Sequence, residues 1–213
     1  MPEPPDDDPH AVVARGYDII AERYAAWTGE ALTGARAWAV ASLEGHVPPG
    51  AAVLDLGCGA GVPVSRALTA RYAVTGLDAS ARNVALARRN VPGATFLHAD
   101  MAQAVFPAGA FAAIIACYAI IHVPRAEHAA LLRRIAGWLQ PGGLLIATMG
   151  AEAAENIDPD WLGAPMYWSH FDAATNARLV EEAGLQVLEA RIDTADEDGQ
   201  PVAHQWIVAR KPA

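Results

Sequence analysis

Three carboxylates and three glycines are spaced for ligand chemistry. Asp55 precedes Gly57 by two residues in "VLDLGCGAG", where Gly57, Gly59 and Gly61 alternate with Cys58 and Ala60. Glycines in this pattern let the backbone turn tightly and approach a ligand, and a following helix offers unpaired N–H groups. Asp78 closes "AVTGLD", 17 residues beyond Gly61, near the spacing at which an acid accepts hydrogen bonds from a ribose diol. Asp55 would repel a pyrophosphate but suits a ligand whose near end carries an ammonium. Asp100 and Met101 close "FLHADM", where an adenine can rest on the thioether while its amino group meets the carboxylate. Together these residues describe a ligand with a cationic amino-acid end, a ribose and an adenine. The dinucleotide fingerprint is broken, since its third glycine would fall at Val62, and no "GK[ST]" of a phosphate loop exists.

The elements that must carry these residues follow from hydrophobic pattern. The runs "AAVLDLG", "AVTGLD", "ATFLHAD", "AAIIACYA" and "GLLIATMG" are short and mostly apolar on both faces, as strands covered by helices on both sides should be. Ser80 is placed to cap "SARNVALARRN", Pro124 to open "PRAEHAALLRRIAGWL", and Asp172 to cap "DAATNARLVEEAG" with Gly184 as its terminator. The last two runs, "LQVLEARID" and "AHQWIVARK", are joined by "TADEDGQPV", too short for a crossover helix, which predicts an antiparallel pair. The predicted class is α/β, a three-layer Rossmann-like sandwich. Residues 1–10 read as a flexible acidic, proline-rich tail and 11–213 as one domain, with a helical cap over 11–46 and an aromatic-rich insertion over 152–171.

Composition excludes several classes. With 53% hydrophobic and 18% charged residues the 213-residue chain can build a full core. A formal net charge of −9 and the absence of a basic stripe argue against a nucleic-acid partner. Two cysteines, Cys58 and Cys117, make no disulfide framework or metal set, no run reaches membrane-spanning length, and the start is acidic where a signal peptide would be basic. The expected location is the cytoplasm.

On "VLDLGCGAG", "VTGLDAS", "FLHADM", "IIACYAIIHVPRAEHAALLRRIAGWLQPGGLLIATMG" and the closing strand pair, the sequence resembles the class I S-adenosylmethionine-dependent methyltransferases, specifically the small-molecule group that includes the ubiquinone-biosynthesis enzymes. The resemblance runs from about Tyr17 to Lys211. It implies seven strands with the last antiparallel, and S-adenosylmethionine as cofactor. It implies that Asp55 and the Gly57, Cys58, Gly59 and Gly61 backbone serve the methionine end. Asp78 would serve the ribose, and Ala79, Asp100 and Met101 the adenine. Cys117 would lie in the segment that closes over the cofactor, and Tyr17 in an N-terminal segment that covers it. Two other classes share the scaffold: a non-catalytic binding protein, and an NAD-dependent oxidoreductase, which Asp55 and Val62 disfavour. Asp78, at a strand end, is expected to be dispensable for folding.

The acceptor is read from what is missing and what is dense. No Asn/Asp-Pro-Pro-Tyr follows the fourth strand, neither cysteine follows a proline, and no metal-binding cluster is apparent, which leaves a small organic acceptor. Trp161, Tyr167, Trp168, His170 and Phe171 fall within eleven residues, a density suited to a lid over a planar substrate, with Tyr24 on the opposite wall. His122, after the fourth strand, and His170, in the insertion, are the candidate bases, each with an unperturbed pKa of about 6.5. An amine or phenolate acceptor needs only in-line positioning and desolvation, without a base. The expected reaction is methyl transfer to a nitrogen or oxygen of a small, planar or aromatic metabolite.

Overall fold

Ile114 and Ile115 are neighbours in sequence and are both fully buried, one against each helical layer of a central sheet. The computed structural model describes residues 8–197 and 199–213. Its strands are β1 (Ala52–Leu56), β2 (Ala73–Asp78), β3 (Thr95–His98), β4 (Phe111–Ala116), β5 (Leu139–Gly150), β6 (Ala154–Trp161), β7 (Ala164–His170), β8 (Gln186–Glu197) and β9 (Gln200–Arg210). Seven of them form one sheet in the order β3-β2-β1-β4-β5-β9-β8. Strands β1 to β5 are mutually parallel, and β9 runs antiparallel to both β5 and β8. The expected sandwich with an antiparallel last strand is therefore present.

The helices are α1 (Pro9–Thr28), α2 (Gly34–Ala41), α3 (Val64–Leu68), α4 (Ala81–Asn90), α5 (Arg125–Trp138) and α6 (Ala173–Glu182). Leu54 and Leu56 of β1 pack with Leu131, Leu132 and Ile135 of α5 and Val180 of α6. Val53 faces the other way, toward Ala39 of α2 and Leu68 of α3. Ser80 and Asp172 cap α4 and α6 through their side chains, as their positions imply. Pro124 is the residue before α5 and not its first helical residue.

The structure adds detail to three of these segments. Residues 1–7 of the expected tail lie outside the described residues, while α1 already begins at Pro9, with the Asp8 carboxylate accepting from the His10 N–H. The polar "TADEDGQPV" is largely strand, because β8 and β9 stay paired through it. The aromatic insertion is a separate antiparallel hairpin of β6 and β7. That hairpin packs on α1, where Ile20, Ala164 and Met166 are buried with Val13, Tyr17, Tyr24, Trp161 and Trp168 around them. The far side of α1 is tied to α4: Asp18 accepts from Ser80 Oγ at 2.6 Å and from the Arg82 N–H at 3.0 Å. Helix and hairpin thus roof the carboxyl ends of β1 and β4, where strand order reverses and open sheets bind ligands.

Candidate active site

The loop after β1 is built for close approach. Gly57 has φ +80°, and a Cβ there would collide with that of Ala119, so only glycine lets the chain from β1 pass the segment after β4. Gly61 turns toward Ala87 of α4 and Val91 just after it and serves packing, away from the cavities around the loop.

Around this loop lies a recess with about 630 Å³ of empty space, whose walls include Tyr17, Gly57, Asp78, Ala79, Asp100 and Met101. Asp78 is buried at the end of β2. Its Oδ2 accepts from the Gly59 N–H at 2.8 Å, and its Oδ1 from the Ser80 N–H at 2.9 Å and Asn83 Nδ2 at 3.3 Å. Burial raises its pKa, against those three hydrogen bonds. Asn83 also lines the recess, and its buried Oδ1 has no hydrogen-bond partner. An acceptor left in this way beside a carboxylate suits a diol. Asp100 accepts from the Ala102 N–H at 2.7 Å and pairs with His10, 3.0 Å away.

A smaller recess of about 420 Å³ continues on the other side of the loop, and here Asp55, Cys58 and Cys117 appear together with Tyr24, Thr28 and Arg36. Asp55 is 2% exposed. It shares a sheet face with Val53, so it points at the first turn of α3, where Ser65 Oγ donates to it at 2.5 Å. Burial pushes its pKa up to about 7. Burial also raises the Cys117 thiol, so neither it nor the buried Cys58 is ionised near neutrality.

Beyond these recesses is an aromatic chamber with about 810 Å³ of empty space, walled by Tyr17, Tyr24, Trp27, Tyr118, Trp161 and Trp168 and closed by Arg36, His122 and His204. Tyr118 adopts φ +55°, a left-handed conformation that costs a non-glycine residue roughly 1–2 kcal/mol. That backbone turns its ring under the Arg36 guanidinium, 4.4 Å from the ring centroid, and edge-on to His204. His122 is 6% exposed. Its Nδ1 lies 2.8 Å from the Tyr167 carbonyl oxygen, which can only accept, so the proton sits on Nδ1 and the lone pair on Nε2. The Tyr17 hydroxyl donates to that lone pair at 2.9 Å. Burial pulls the His122 pKa down to about 4, against the Tyr167 hydrogen bond. Burial likewise raises that of Tyr17.

Two expected substrate residues stand elsewhere. Tyr167 and Ser169 occupy the β7 face opposite Trp168, and the Tyr167 hydroxyl donates to Glu155 at 2.7 Å, so its side chain leaves the chamber. His170 lines an outer groove, with Nδ1 against the Glu152 carbonyl, and does not join His122 in the chamber. Arg36, Asn83, Trp27 and His204 escaped the sequence reading. For Trp27 a signal existed, since it lies one helical turn beyond Tyr24 and stacks on it.

Residues 53–143 match the family model of a methyltransferase domain. A trans-aconitate 2-methyltransferase of Methylobacterium nodulans is 40% identical over 134 residues, covering 60% of this chain and 50% of that one. A ubiquinone biosynthesis O-methyltransferase of Methylobacterium sp. is 31% identical over 182 residues, covering 77% of this chain and 70% of that one. The chain belongs to the S-adenosylmethionine-dependent methyltransferases. Among solved structures, the Burkholderia thailandensis 1,6-didemethyltoxoflavin-N1-methyltransferase, with bound 1,6-didemethyltoxoflavin and S-adenosylhomocysteine, has the same fold, with a TM-score of 0.72 at 20% identity over 99% of this chain and 93% of that one. This methyltransferase spans about half the length of several curated relatives it matches. The residues around the loop fit the family's cofactor: acceptors Asp78 and Asn83 for the ribose hydroxyls, and Asp55 with Arg36, of opposite charge, for an amino-acid end.

Proposed function

We propose that this chain transfers a methyl group from S-adenosylmethionine to a nitrogen of a small, planar metabolite, with oxygen as the alternative atom. The observation that carries the reading is a shared wall. Tyr17, Tyr24, Tyr118 and His122 line both the recess beside Asp78 and the aromatic chamber, so a ligand in one faces the contents of the other. The cofactor, when bound, supplies an electrophilic methyl on a sulfonium. The chain's own residues then have to bind, orient, exclude water and handle one proton.

Asp78 and Asn83 hold the ribose, Ala79, Asp100 and Met101 border the adenine, and Asp55 and Arg36 meet the two charges of the methionine end. The aromatic walls hold a flat acceptor and keep water out. Tyr17, donating to His122 and hydrogen-bonded to Tyr24, faces both spaces and can orient an N–H or O–H of the acceptor. An imidazole with a pKa of about 4 is a poor base for a phenol. Against a phenol pKa of about 10, the gap is on the order of 8 kcal/mol. A weakly basic nitrogen attacks through a lone pair already free and sheds its proton only after methylation, which a weak base can accept. This favours nitrogen.

The test is calorimetry with S-adenosylhomocysteine and NADH side by side, followed by transfer of labelled methyl to a panel of planar amines and phenols. Tight S-adenosylhomocysteine binding and faster labelling of amines are expected. Binding of NADH alone would overturn the reading, and cofactor binding without turnover on any acceptor would leave a non-catalytic binding protein.

A further inference from the structure

The aromatic chamber does not end at the hairpin. Trp27, Ile121, Trp161, Trp168 and His204 also line a wider groove, with about 1320 Å³ of empty space, between the hairpin and the start of β9. The chamber is walled by six aromatic rings, a shape that suits a planar head. The groove is room beyond a planar head.

The two spaces differ in charge. Among the described residues, the chamber lining holds Arg36 and no carboxylate. The groove lining holds Glu152 and Asp158 and no lysine or arginine. Burial lowers the groove's His204 to about 4, so that imidazole adds no cation near neutrality. At the junction Trp27 remains 38% exposed, an indole face open where chamber and groove meet. Indole faces attract ammonium groups as well as apolar chains.

We infer that the acceptor has two parts, a planar head in the chamber and an amine-bearing tail that leaves over Trp27 into the groove toward Glu152 and Asp158. The head rests on the methyl-transfer reading above, whereas recognition of the tail belongs to the groove alone.

Three probes test this on the protein loaded with S-adenosylhomocysteine: 1-naphthylamine, and the same ring carrying a 4-aminobutyl or a 3-carboxypropyl chain on its nitrogen. Calorimetry should find the aminobutyl probe at least tenfold tighter than the bare ring, and the carboxypropyl probe no tighter. Glu152→Gln with Asp158→Asn should cut that advantage below threefold, as should Ala203→Trp, which fills the groove. Cofactor titration of each variant reports an intact fold. Equal binding of the three probes, an advantage that survives the variants, or no binding of any probe overturns the proposal. Failure of the methyl-transfer reading would show separately, as absent cofactor binding or absent turnover.

Discussion

The Tyr17 hydroxyl lies 2.9 Å from Nε2 of His122, whose Nδ1 lies 2.8 Å from the Tyr167 carbonyl oxygen. One line of hydrogen bonds therefore joins α1, the turn after β4 and the hairpin, the three parts that cover the site. It also fixes the imidazole tautomer, which determines the direction in which a proton can move.

Glutamine at position 122 can keep both ends of that line, because its amide donates and accepts, yet it takes up no proton near neutrality. His122→Gln should lower kcat by roughly 10²-fold if the imidazole receives the acceptor's proton. Affinity for S-adenosylhomocysteine should stay within threefold. Since burial holds His122 at about 4, the wild-type rate should show no break near pH 6.5 from this residue. A neutral break that disappears in the variant would contradict the assignment of a depressed pKa, and an unchanged kcat would leave positioning as the only role.

Asp78 is less dispensable than its strand-end position implies. It anchors the backbone N–H groups of Gly59 and Ser80 as well as Asn83. Asp78→Ala should weaken cofactor binding by about 1.5–3 kcal/mol and should also lower Tm, because buried donors lose their acceptor. Asp78→Asn should lower Tm less. Calorimetry and thermal unfolding on the same samples would check both, and native affinity in the alanine variant would remove Asp78 from the ribose site.

The sheet was legible because β1, β4 and β5 are apolar on both faces, a pattern that only a strand between two helical layers requires. The hairpin was not. "AENIDPDW" is polar and carries Pro159, and its strand conformation depends on pairing with β7, up to 16 residues away, and on packing against α1. Without that pairing in view, the sequence does not show the strand alternation that places Trp168 inward and Tyr167 outward. Asp55, Asp78 and Asp100 were legible because each lies within two residues of the carboxyl end of its strand, β1, β2 or β3, at one edge of the sheet. Arg36 and His204 come from α2 and β9, and nothing local marks them; only the folded chain brings them together.

Asp55 should make cofactor binding pH-dependent. At about pH 6 the free protein keeps Asp55 mostly protonated, its pKa being raised to about 7 by burial. An ammonium beside it favours the carboxylate, so binding releases a proton and affinity should rise with pH to about 7 and then level off. Ser65→Ala, removing a hydrogen bond that supports the charged form, should move the midpoint upward. Stability of the free protein should run the other way. The folded state holds this proton longer than the unfolded chain, so the unfolding free energy falls as pH rises from about 4 to about 7, a slope that Asp55→Asn should remove.

The Trp168 ring lies tilted at 39° with its centroid 4.4 Å from that of His122 and meets Trp161 edge-on at 5.1 Å, on the chamber side of the hairpin. It does not line the recess beside Asp78. Trp168→Ala should therefore weaken acceptor binding by at least tenfold and change S-adenosylhomocysteine binding little. Dissociation constants for both ligands would check this; a loss confined to the cofactor would put the indole on the wrong wall.

His10 clamps the first turn of α1 over the same recess, with Nδ1 3.0 Å from Asp100 and Nε2 3.0 Å from Glu127. Partial burial lowers its pKa, but the Glu127 hydrogen bond and the charges of Asp100, Glu127 and Asp8 outweigh that and raise it. A base raised in the folded state stabilises fully below its unfolded pKa of about 6.5 and loses the effect as pH rises through the folded value. A neutral imidazole can donate from one nitrogen only, so one of the two contacts must then go. Amide exchange in the first two turns of α1, corrected for intrinsic rates, should quicken from about pH 6 to about pH 8.5, and sooner in high salt. Because His10 and Asp100 both line the recess, release of S-adenosylhomocysteine should quicken over the same range. His10→Ala should exchange fast at every pH and converge with the wild type at the alkaline end. Equal exchange of the two proteins at about pH 6 would show that the clamp carries nothing.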